Sequence, residues 1–154
     1  MAEWHQRFLI LARNIATWSK DPSTQTGCVI VRDNRILTTG YNGFPPGVAD
    51  LPERYNDRPT KYKFIEHADR NAIYQAAKQG ISLEGATMYI TGPPCHDCAR
   101  GIISAGISTV IWPVRNPFES NTEVKARWSD SLEASFAMLR EANVQYFRVE
   151  IDDV

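Results

Sequence analysis

The chain has 154 residues, 43% hydrophobic and 23% charged, enough for one domain (1–154) with a real core and unlike any disordered, collagenous or low-complexity chain. With 17 Lys and Arg against 18 Asp and Glu, the net charge of −1 gives no general field for gripping a polynucleotide, so no polymeric nucleic acid is expected as partner. No apolar run reaches the ~20 residues of a membrane helix, and the N-terminus lacks a secretion signal's basic and apolar segments, so the expectation is no membrane and a cytoplasmic protein.

Trp4, Phe8, Leu11, Ile15 and Trp18 recur at helical spacing and predict an amphipathic helix ending near Pro22. Gly27 to Arg32 and Arg35 to Tyr41 predict a hairpin about Asp33 and Asn34. A loop rich in Gly and Pro follows at 40–47, and Val48 to Ile65, polar and aperiodic with Pro52 and Pro59, predicts a long functional loop. Ala68, Ala72, Ala76 and Ala77 favour a helix from His67 to a stop at Gly80. A strand at Ala86 to Thr91 and a helix from Cys95 to Ala105 come next. They are followed by a strand at Thr109 to Trp112 and a loop at Pro113 to Lys125. A helix at Asp130 to Asn143 and a strand at Gln145 to Ile151 complete the order. Such alternation predicts an α/β layered domain whose sheet is mostly parallel beyond the hairpin.

Three cysteines are too few for a disulfide scaffold. Cys28 lies in the apolar run Gly27 to Val31 and reads as a small buried hydrophobe. Cys95 and Cys98 form a Cys-x-x-Cys which, with His67, makes the best metal-ligand set in the chain. Two thiolates and an imidazole suit Zn²⁺, and each cluster opens a predicted helix, where the positive helix end stabilises thiolates. Three ligands leave a position open for water, as in catalytic sites; a structural site closed by His96 or Asp97 is the alternative. A redox role for the Cys-x-x-Cys would leave His67 unexplained. With this one ligand set, one zinc per chain is expected.

The motif His67-Ala68-Asp69 with Pro94-Cys95-His96-Asp97-Cys98 resembles the zinc-dependent cytidine and deoxycytidylate deaminase superfamily. The resemblance extends through Trp18 to Thr24, the hairpin to Gly43, Asn71 to Ile73, Gly85 to Ile90 and Cys98 to Ile103, and is nearest to the deoxycytidylate deaminases. It implies a three-layer α/β/α sandwich on a mixed five-stranded sheet. It implies that His67, Cys95 and Cys98 hold zinc, that a zinc-activated hydroxide attacks C4 of the cytosine, and that Asp69 shuttles protons. The reaction implied is hydrolytic deamination of dCMP to dUMP and ammonia. A homo-oligomer, often a hexamer, with dCTP and dTTP as effectors, is implied with it.

Asp69 departs from the motif, which carries Glu, and is shorter in reach by about 1.5 Å. Three readings stay open: a compensated active site, a site retuned to another free or modified base or nucleoside, or an impaired zinc-stabilised regulatory or binding domain. For substrate contacts the resemblance points to Asn42, otherwise a turn residue, and to backbone groups of Ala68. Lys20 and Thr26 near the end of the first helix are candidates for a phosphate. Arg54, Arg58, Lys61 and Lys63 add positive charge in the long loop, either to cap a phosphate or merely solvated. Trp112 and Arg115 follow the fourth strand, and Trp112 is either a stacking surface for a pyrimidine or a core residue.

Overall fold

The computed structural model describes residues 2–152. In chain order they form α1 (Ala2–Ala16), β1 (Gly27–Arg32), β2 (Arg35–Tyr41), α2 (Pro52–Asn56), α3 (Arg58–Phe64) and α4 (Ala68–Gln79). Then come β3 (Thr87–Ile90), α5 (His96–Ser104), β4 (Thr109–Pro113), α6 (Pro117–Ser120), α7 (Thr122–Glu141) and β5 (Gln145–Val149). The five strands make one sheet in the order β2-β1-β3-β4-β5. β1 runs antiparallel to β2 and β3, while β3, β4 and β5 are parallel. The hairpin turns through Asp33 and Asn34, both at positive φ (54° and 59°), the pair of left-handed residues that matches strand twist.

Strand alternation sorts the core into two layers. Cys28, Ile30, Met88, Ile90, Val110 and Trp112 face the layer of α4, α5 and α7. Val29, Val31, Tyr89 and Ile111 face α1 and meet Phe8, Leu9, Ala12 and Ile15. The result is the expected α/β/α sandwich on a mixed sheet. Cys28 is fully buried. The small stripe Ala68, Ala72 and Ala76 lets α4 lie directly on the sheet. A Cβ at Gly40 of β2 would sit 2.4 Å from the Ala68 carbonyl oxygen and 2.5 Å from the Ala72 nitrogen.

Several expectations are corrected. α1 stops at Ala16, and Trp18 lies beyond it, 61% exposed, with its ring edge against Tyr41. The predicted loop 48–65 contains α2 and α3. Pro52 and Pro59 start these helices rather than break them, because a first-turn residue needs no N–H partner, and Asp57 caps α3 by accepting from the Thr60 N–H. α7 begins at Thr122, eight residues earlier than predicted, where the Asn121 side chain accepts from the Glu123 and Val124 N–H groups. Trp112 is a core residue and not a stacking platform. It is fully buried, stacked on Phe136 and Tyr146, and its indole N–H donates to Glu119 at 2.8 Å.

Candidate active site

His67 caps α4, Cys95 caps α5, and Cys98 is the third residue of α5, so two positive helix ends meet at one place. The β2 end holds this junction: Gly43 pairs with Glu66, and the Asn71 amide donates to the Tyr41 carbonyl at 2.8 Å. His67 Nδ1 lies 3.4 Å from Cys95 Sγ and 3.3 Å from Cys98 Sγ, and the two sulfurs are 3.4 Å apart. A tetrahedral ion with ligand bonds of ~2.0–2.3 Å needs donors about 3.5–3.8 Å apart. This near-equilateral N, S, S triangle therefore fits zinc with a few tenths of an ångström of relaxation. The donor chemistry fits as well. Contact with Cys98 pulls the Cys95 thiol down to about 4, the His67 hydrogen bond and charge adding to it against burial. Burial pushes the Cys98 thiol well up, and it donates to Asp69 Oδ1 at 2.8 Å. Burial would lower His67, but its hydrogen bond to Cys95 and the charges of Cys95 and Asp69 raise it. Asp69, buried in the first turn of α4, is raised chiefly by burial.

These groups form the floor of a cavity of about 410 Å³, a volume suited to a small organic ligand. One wall is the segment Asp21 to Gly27, another is α3, and a third is Phe118 with α7. Trp128 of α7 sets its ring edge-on to both His67 (6.3 Å) and Phe118 (6.0 Å). The first wall is braced by a buried ion pair: Lys61 Nζ lies 2.8 Å from Asp21 Oδ2, and also donates to Ser23 Oγ at 2.8 Å. Burial pushes the Asp21 carboxyl up, but the hydrogen bonds from Lys61 and Ser23 hold it below its ordinary value.

The sequence model of the cytidine and deoxycytidylate deaminase zinc-binding region matches residues 2–114. An uncharacterised deaminase of the luxG 3′ region in Aliivibrio fischeri is 38% identical over 152 residues, 99% of this chain and 97% of its own. The deoxycytidylate deaminase of Homo sapiens is 39% identical over 131 residues, 81% of this chain and 72% of its own. The crystal structure of the cyanophage S-TIM5 dCMP deaminase with dCMP and dUMP superposes with a TM-score of 0.76 at 23% identity, covering 97% and 98% of the two chains. The chain belongs to the cytidine and deoxycytidylate deaminase family.

It is thus a hydrolytic deaminase, and its His-Cys-Cys group fits one zinc per chain. Of the other residues singled out from the deaminase's sequence, Asp69, Asn42, Ala68 and Thr26 line the cavity. The Asn42 amide is already engaged: its oxygen accepts from the Thr26 N–H at 2.8 Å, and its nitrogen donates to the Thr24 carbonyl at 2.8 Å. Asn42 therefore shapes the wall. Lys20, Trp112 and Arg115 are not brought to the cavity. Lys20 points to the surface and pairs with Asp50 at 3.0 Å, Trp112 faces the α7 layer, and Arg115 is exposed. Sequence reasoning missed Phe118, Arg127 and Trp128. The signal was there: Asn121-Thr122-Glu123 is a helix start, and Val124 and Trp128 extend the four-residue spacing of Leu132 and Phe136 back through a run that is otherwise mostly polar.

Proposed function

We propose that the chain is a single catalytic domain that deaminates dCMP to dUMP and ammonia. What carries this reading is the three-donor triangle on the floor of a cavity with the Asp69 carboxylate beside it. The names of the human relative and of the cyanophage neighbour support the substrate. Zinc held there supplies the Lewis acidity that makes water nucleophilic at neutral pH. Asp69 accepts one proton of the hydrolytic water and gives it to ring N3, then takes the second proton from the hydroxyl formed on C4 and gives it to the departing amine. C4 gains a C–O bond and loses its C–N bond, and ammonia leaves. Ala68 presents backbone groups to the base edge, and Trp128 and Phe118 flank the ring. The same reading includes a cytoplasmic homo-oligomer, a hexamer, answering to dCTP and dTTP. Exposed Trp18, Ile36, Tyr41 and Tyr74 supply apolar surface for such contacts. No helix of the described residues is long and apolar enough to cross a membrane.

The test is ammonia release from dCMP by zinc-loaded wild type, Asp69→Asn and Asp69→Glu. An amide cannot accept and return the proton, so Asp69→Asn loses about 10²–10⁴-fold in kcat while keeping zinc. Asp69→Glu keeps or raises activity. A fully active Asn variant removes Asp69 from the chemistry; a silent wild type revived only by Glu shows an impaired site.

A further inference from the structure

The cavity carries more positive charge at its mouth than the zinc chemistry uses. Its charged lining comprises Asp21, Arg58, Lys61, Asp69 and Arg127. Asp21 and Lys61 neutralise each other in their buried pair, and Asp69 lies against Cys98 on the floor. That leaves Arg58 and Arg127, exposed side chains that make no ion pair or hydrogen bond among the described residues.

α7 gives the cavity its direction. Val124, Trp128 and Leu132 recur at four-residue spacing along the face that lines it. Leu132 is buried, Trp128 half-buried beside His67, and Arg127 exposed, so the helix runs from the interior out to the mouth towards its N-terminal end. A base placed at the metal donors directs the far end of its nucleotide to that mouth. Guanidinium groups bind phosphate oxygens through paired N–H donors.

We propose that Arg127 of α7 and Arg58 of α3 bind the 5′-phosphate of the substrate, and that this pair selects a nucleotide over a nucleoside. The proposal rests on the dCMP reading above. It places one member of the pair, Arg127, on a helix outside residues 2–114, the region shared with the family's zinc-binding model, and the other, Arg58, within it.

The experiment compares zinc-loaded wild type, Arg127→Ala, Arg58→Ala and Arg127→Lys in ammonia release from dCMP and from deoxycytidine. Lys125→Ala, two residues away and outside the cavity lining, is the control. Losing a charge-assisted hydrogen bond lowers kcat/KM for dCMP by about 10–100-fold, through KM, in each Ala variant. Turnover of deoxycytidine stays unchanged, Arg127→Lys recovers part of the loss, and Lys125→Ala behaves as wild type. Equal losses on both substrates, or a dCMP preference kept by both Ala variants, overturn the proposal. The dCMP reading fails separately, when the wild type releases ammonia from neither substrate or prefers deoxycytidine. Calorimetric binding of dUMP and deoxyuridine decides the phosphate contact even then: dUMP must lose affinity in the Ala variants while deoxyuridine does not.

Discussion

The floor and the mouth of the cavity are built on opposite terms. On the floor, His67, Cys95 and Cys98 lie within hydrogen-bond distance of one another and Asp69 within that of Cys98, on two helix starts, and β2 holds the first of these in place. At the mouth, Arg58 and Arg127 stand in solvent without partners among the described residues. Between the two, Lys61 and Asp21 form a buried pair that faces the cavity yet spends its charge on structure. The contrast shows which charges belong to chemistry, which to architecture, and which are left to meet a ligand.

Substitutions at the three levels should separate accordingly. The largest effect is expected on the floor, where Cys98→Ser or His67→Ala removes one of three metal donors. Zinc content measured by elemental analysis should fall with ammonia release, the latter to the background rate; full zinc retention in Cys98→Ser would break the assignment. The middle level should answer in stability. Lys61→Met leaves the Asp21 carboxylate buried and unpaired, a loss of about 3–5 kcal/mol in denaturant unfolding. If that variant were as stable as wild type, the pair would not brace the wall.

The smallest effect is a pH dependence. Asp21 is held below its ordinary value when folded, so its stabilising contribution is full above the unfolded value and declines as pH falls through the folded one. The wild type should therefore lose Tm more steeply than Asp21→Asn below about pH 4. Parallel curves would remove the Asp21 contribution.

The floor was readable in the sequence because its chemistry is carried by rare residue types at fixed spacing. His67, Cys95 and Cys98 need only their order and a helix start to be brought together. The strands were readable because Val29, Ile30, Val31 and their partners alternate between two apolar layers. The mouth was not. α2 and α3 are too short to show a period, and their prolines read as breaks until the capping Asp57 is seen in place. The first half of α7 is mostly polar because most of it faces solvent, and Val124 and Trp128 on its cavity side are too few to stand out, so its helix was hidden in a predicted loop. Trp112 had two readings in the sequence, and the decision came from Phe136 and Tyr146, which only the fold stacks on it.

Gly40 carries a consequence for how such a site can diverge. It touches no donor, yet a side chain there would collide with the backbone at Ala68, the residue between His67 and Asp69. The placement of the reactive groups thus hangs on an empty volume in a neighbouring strand, and drift at that position is closed off. Arg58 and Arg127 are under no such restriction, since their Cα atoms are carried by helices that the core and the caps already fix. Descendants of this chain can explore new ligands at the rim while the reaction underneath is inherited unchanged.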